Sequence, residues 1–135
     1  MTAPGERPPV LIVEDNPVFL DLYAEALEAD YDLACVRGRE QAFALLRDRR
    51  FDAALIDIRL DEDDRENRDG LDVAEFIRDL DLPMGVVLKS GFPSEKPEIV
   101  ARIAAIKAAA VLDKSGATQV RELRAALEQA VRTGR

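Results

Sequence analysis

The sequence contains no histidine. That absence excludes a histidine general base, a Ser-His-Asp triad and a histidine-ligated metal, so any metal held here is a hard cation on oxygen ligands. Cysteine occurs once, as Cys35 in the apolar stretch Leu33-Ala34-Cys35-Val36, which rules out an intrachain disulfide and suits a core thiol in a reducing compartment. No basic or histidine neighbour in sequence marks that thiol as reactive. Long apolar runs are missing as well. No N-terminal stretch has the make-up of a signal peptide and none approaches a membrane span, so a cytoplasmic protein with no membrane partner is expected. Basic residues are in deficit, 19 against 27 acidic, and the formal net charge of -8 disfavours direct nucleic-acid binding. No internal repeat is visible.

What is present is a regular alternation. The 135 residues suit one domain, which at that size buries roughly two-thirds of its unfolded surface without a disulfide or structural metal. Residues 1–8 have no periodicity and read as a flexible lead-in. Val10 to Val13 is a short β-branched run, and Asn16-Pro17 then supplies an N-cap and a proline at the first helical position. Phe19, Leu22, Tyr23, Ala26 and Leu27 mark one face of the helix that follows.

Leu33 to Val36 reads as a second strand, and Ala42, Leu45 and Leu46 as the buried side of a helix from Arg39 to Arg49. Phe51 to Ile58 is the third strand. Leu71, Val73, Ala74, Ile77 and Leu80 give a helical stripe that stops at Pro83. Met84 to Leu88 is the fourth strand, and Pro97 opens a helix carrying Ile99, Ile103 and Ile106. Ala109 to Leu112 is the fifth strand. Val120, Leu123, Leu127 and Val131 define a closing helix with Thr118 as its N-cap. Strands alternating with helices give an α/β fold: a five-stranded parallel sheet covered on both faces, flavodoxin-like, in strand order 2-1-3-4-5.

One residue is out of place in this pattern. Asp57 ends the apolar run Ala53-Ala54-Leu55-Ile56, and ligands of such sheets bind just beyond the carboxyl ends of the strands. Glu14 and Asp15 follow the first strand, so with strand one beside strand three the three carboxylates meet at one rim and repel one another unless a cation such as Mg²⁺ joins them. An acidic loop solvated at the surface is the alternative. Ser90 follows the fourth strand and Lys114 the fifth, which brings a hydroxyl and an ammonium to the same edge. Taken singly, Ser90 reads as a turn residue and Lys114 as a surface lysine; chance seldom assembles the whole set.

This constellation resembles the response-regulator receiver domain of two-component signalling, over essentially all of Val10 to Val131. The resemblance implies one receiver domain over residues 9–132 with no output domain, acting as a stand-alone regulator. Asp57 would be the phosphoacceptor. Asp15, Asp57 and the backbone carbonyl of Arg59 would hold Mg²⁺, with Glu14 acting through a bound water. Lys114 would contact a phosphoryl oxygen, Ser90 would be the switch hydroxyl, and Gly91 would keep space beside it. The implied donors are a histidine kinase or a histidine phosphotransfer protein. The implied output is altered binding to a downstream protein, and the fourth helix, fifth strand and fifth helix form the family's docking and homodimer face. Transfer from phosphohistidine to a carboxylate needs positioning and charge neutralisation rather than a proton-transfer base, so the missing histidine fits. Catalysis would be limited to slow self-dephosphorylation.

The sequence also departs from the family. Residues 59–69 form an enlarged segment dense in both charges, without the usual proline near Asp61; it reads as a solvated insertion in preference to a partner-docking loop. Asn67-Arg68-Asp69-Gly70 resembles the middle of an EF-hand loop, but Arg65 and Phe76 stand where its first and last ligands belong, which rejects calcium. Ser115 replaces the proline that usually follows the lysine, and Val111 replaces the switch aromatic. Arg59 and Phe92 lie two residues beyond Asp57 and Ser90, positions that flank the phosphoryl group in the family, and the resemblance makes them candidates for shielding it from water. A second functional reading is therefore a receiver-like binding module that works without phosphate. A phosphatase with an aspartyl nucleophile would want a second acid at Arg59, and the arginine argues against it.

Overall fold

The uninterrupted apolar runs form the middle of a parallel sheet. In the structure, a computed structural model that describes residues 6–61, 63–90, 96–113 (the side chain of Asp113 aside) and 120–134, the strands are β1 (Pro9–Val13), β2 (Asp32–Val36), β3 (Ala53–Asp57), β4 (Gly85–Ser90) and β5 (Ala110–Asp113). They lie in the order β2-β1-β3-β4-β5, as the sequence predicts, and β1, β3 and β4 are buried because both of their faces are covered.

Five helices cover the sheet: α1 (Pro17–Leu27), α2 (Arg39–Asp48), α3 (Asp69–Asp79), α4 (Pro97–Ile106) and α5 (Val120–Thr133). Alternation along each strand divides the core in two. Leu11, Val13, Ile56 and Leu88 pack with Ala42, Leu46, Leu71, Ile77 and Ile106 under α2, α3 and α4. Val10, Ile12, Leu55 and Val87 pack with Tyr23, Leu27, Leu123 and Leu127 under α1 and α5. Asn16 caps α1 as expected, its Oδ1 accepting from Val18 N at 2.9 Å with Pro17 opening the helix.

Several local expectations are corrected. β3 is shorter than Phe51 to Ile58, and β4 runs on through Lys89 and Ser90 rather than ending at Leu88. Ser90 therefore closes a strand and does not follow it. Leu80 and Leu22, both read into buried helical stripes, are exposed; Leu80 lies past the last turn of α3 as its C-cap. Cys35 is exposed rather than a core thiol, because β2 is an edge strand that its neighbours cover only in part. Thr118, the expected cap of α5, lies outside the described residues.

Candidate functional site

Register explains why the acids meet. Val13 of β1 pairs with Ile56 of β3, so one residue further on Glu14 is level with Asp57, and Asp57 in turn pairs with Lys89 of β4. Glu14, Asp57 and Lys89 thus form one row across the sheet. By the strand alternation all three project to the face covered by α1 and α5, and all three are buried, with no more than 2% of each residue exposed. Carboxylate oxygens of Glu14, Asp15 and Asp57 lie within 4.8 Å of one another.

Among the described residues, backbone amides and the ammonium of Lys89 donate to this cluster. Arg59 N donates to Asp57 Oδ1 at 3.3 Å, and Asn16 N donates to Glu14 Oε2 at 3.3 Å. Lys89 Nζ donates to Glu14 Oε1 at 3.4 Å, so both oxygens of Glu14 are engaged. β1 and β4 are separated by β3, a gap of about 9.6 Å for two strand spacings, and the Lys89–Glu14 pair bridges it across the strand that carries Asp57. The ammonium also stands 4.2 Å from the ring centre of Tyr23 and 5.1 Å from that of Phe19, two aromatics on α1 that cover the pair with π-faces.

Donor chemistry and spacing suit a hard divalent cation. Opposite ligands of a Mg²⁺ ion stand about 4.2 Å apart, so oxygens spread over 4.8 Å close around one ion with small side-chain shifts or with a water in one position. The segment after β3 supports the same rim from below. Gly70 N donates to Ile58 O at 2.9 Å, and a Cβ at Gly70 would lie 1.9 Å from the carbonyl oxygen of Asp57, so the first turn of α3 rests directly on the acceptor's backbone. The long segment leading there is built of side-chain turns: Asp61 Oδ1 accepts from Asp63 N, Asp64 Oδ1 from Glu66 N, and Asn67 Oδ1 from both Leu60 N and Asp69 N. The exposed Asp61 and Asp64 shape a surface loop, and Asn67 serves as its internal tie.

Comparison with known families fixes the identity of the fold. The response regulator receiver domain family matches residues 10–128. The chain belongs to the response regulator receiver domain family. Receivers are the phosphoacceptor domains of two-component signalling; they bind Mg²⁺ at an acidic pocket and interact with histidine kinases or phosphotransfer proteins. A receiver domain protein from Methanospirillum hungatei superposes with a TM-score of 0.80 at 21% identity, covering 96% of this chain and 97% of that one. The signal receiver domain of an HD domain-containing protein from Pseudomonas fluorescens gives a TM-score of 0.78 at 25% identity, covering 96% and 98%. A response regulator from Burkholderia pseudomallei, solved with a phosphorylated aspartic acid, a calcium ion and citrate, gives 0.70 at 23% identity, covering 89% of this chain and 66% of that one. A comparison with curated protein sequences finds no significant match.

Of the receiver positions expected from sequence, the fold brings Glu14, Asp15, Asp57 and the backbone of Arg59 to one place. Ser90 is buried at the last position of β4, opposite Asp113, on the α3–α4 side of the sheet. Val111 is exposed on β5. Lys114, Gly91, Phe92 and Ser115 lie outside the described residues. Sequence reasoning missed Lys89. Its signal was available: a charge at the end of the apolar run Gly85 to Leu88 is the same anomaly that singles out Asp57. No described helix is long and apolar enough to cross a membrane.

Proposed function

We propose that this receiver takes a phosphoryl group on Asp57 from a partner's phosphohistidine in a Mg²⁺-dependent reaction and signals by altered binding to another protein. The observation that carries the reading is the cluster of Glu14, Asp15 and Asp57 oxygens at the carboxyl ends of β1 and β3, in a chain of this family. In the transfer, a carboxylate oxygen of Asp57 bonds to phosphorus, the P–N bond of the donor breaks, and its electron pair returns to the imidazole. Asp15, Asp57 and the carbonyl of Arg59 would hold the ion, with Glu14 acting through water; when bound, Mg²⁺ neutralises charge on the equatorial phosphoryl oxygens.

This chain's residues supply the positioning. Burial of Asp57 in the sheet row and the Arg59 amide on its Oδ1 fix the nucleophile's direction, and the turn of α3 on Gly70 prevents its backbone from withdrawing. Lys114 is assigned the phosphoryl clamp and Ser90 the switch hydroxyl, with Gly91 leaving room beside it. Arg59 and Phe92 are assigned the family's positions beside the phosphoryl group, and Arg59→Ala and Phe92→Ala should shorten the phosphoryl half-life. The surface of α4, β5 and α5, where Val100, Val111 and Val120 are exposed, is the proposed face for a downstream protein or a second copy.

Beryllofluoride, a mimic of the phosphoryl group, provides the test. Its uptake, followed by backbone amide shifts, is expected only with Mg²⁺ present and is expected to vanish in Asp57→Asn. No response of the wild type would favour a binding module that works without phosphate.

A further inference from the structure

Lys89 has no role in the scheme above, yet it is among the largest fully buried side chains of the protein. A lysine ammonium taken from water into a core must be compensated by an opposite charge or by groups that attract a cation. Here the compensation is specific: Glu14 Oε1 at 3.4 Å, the Tyr23 ring at 4.2 Å and the Phe19 ring at 5.1 Å. The pair lies in the row that contains the acceptor, and its acid is one of the three carboxylates of the cation cluster.

Two consequences follow from position alone. Each oxygen of Glu14 already accepts a hydrogen bond, one from Lys89 and one from the Asn16 amide, so a metal-bound water must share this carboxylate with an internal cation. A fixed positive charge beside the cluster also repels any divalent ion entering it. The protein is strongly acidic overall, but it places a cation where the metal would benefit most from unopposed acids.

We propose that Lys89 is a built-in counter-cation of the phosphoacceptor site that holds Glu14 and sets a weak affinity for Mg²⁺, so that loading of the ion depends on its concentration. The proposal rests on the functional reading of the site given above. It assigns Lys89 as a positioning residue that acts on the metal through its hold on Glu14 and through its own charge, and it identifies Phe19 and Tyr23 as the lid that keeps the pair dry. Lys89→Met keeps length and packing against the two rings while removing the charge; Lys89→Arg keeps the charge.

The test is a calorimetric Mg²⁺ titration of the whole chain, with no phosphodonor, for wild type, Lys89→Met, Lys89→Arg and the pair Glu14→Gln and Glu14→Gln/Lys89→Met. Loss of the cation should tighten Mg²⁺ binding on the order of tenfold, the effect of removing a like charge at close range in a partly screened site. Lys89→Arg should stay near wild type. Should Lys89→Met fail to fold with Glu14 left unpaired, the Glu14→Gln pair makes the same comparison without that buried charge, and the doubly substituted chain should be the tighter binder. Unchanged or weaker binding on loss of the lysine, in whichever comparison folds, overturns the proposal. If the wild type binds Mg²⁺ and the substitution changes nothing, only the role of Lys89 falls. If no variant binds Mg²⁺, both this proposal and the metal-dependent reading fall.

Discussion

Gly70 stands directly on Asp57: a Cβ there would lie 1.9 Å from the acceptor's carbonyl oxygen, while the glycine's amide holds Ile58 O at 2.9 Å. The contact joins the start of α3 to the end of β3 at the point where the acceptor's backbone turns away from the sheet. Any side chain at residue 70 must push the two elements apart. Gly70→Ala should therefore cost about 2 kcal/mol or more in denaturant unfolding and reduce phosphoryl uptake, since Asp57 moves with its carbonyl. A variant of wild-type stability would show that the helix is not seated as described.

Asn67 ties the enlarged segment together, its Oδ1 accepting from Leu60 N at 2.9 Å and Asp69 N at 3.0 Å. Leu60 is buried, so loss of the acceptor strands an amide that water reaches poorly. Asn67→Ala should lower stability by about 1–3 kcal/mol, and Asn67→Asp, which keeps the acceptor, should recover much of it. The unfolding midpoint of the three proteins decides the point; equal midpoints would mean that the segment is held by other contacts.

Arg102 of α4 makes a two-pronged contact with Glu75 of α3, at 2.6 and 2.9 Å, and reaches Asp72 at 2.9 Å. The group is partly exposed, so solvent and salt screen it. Arg102→Met is expected to cost about 1 kcal/mol at low ionic strength and less as salt rises. A loss independent of salt would assign the effect to packing of the side-chain stem instead.

Cys35 is exposed on β2, yet desolvation by its surroundings pushes the thiol's pKa up. A raised pKa leaves less thiolate at neutral pH, so the native protein should be alkylated more slowly than a free cysteine there, with the rate still rising above the ordinary thiol range of about 8.5. The rate of iodoacetamide labelling against pH, native and unfolded, checks this. Complete resistance of the native protein at high pH would return the residue to the core.

These residues also mark what the sequence makes legible. Val10 to Val13, Ala53 to Ile56 and Gly85 to Leu88 are continuously apolar, as strands covered on both faces are, and that property reads directly as strand; the order follows from the alternation of strands with helices. The acid cluster was legible for the same reason, since the carboxyl ends of neighbouring strands share one rim. Lys89 was hidden by ending β4 at its last apolar residue. Two more strand residues place the ammonium on the Val87 face, in the row of Glu14 and Asp57. Cys35 was misplaced because an apolar run does not reveal whether its strand lies at the sheet's edge. Gly70 and Asn67 act through backbone contacts that no periodicity encodes.

The central claim is that Asp57 is the group that becomes phosphorylated. Intact-mass measurement after incubation with a small-molecule phosphodonor and Mg²⁺ tests it most directly, on wild type and on Asp57→Asn side by side. The account predicts the gain of one phosphoryl group by the wild type, lost when the metal is chelated, and no gain by Asp57→Asn. An unmodified wild type, or equal modification of the two proteins, would contradict it.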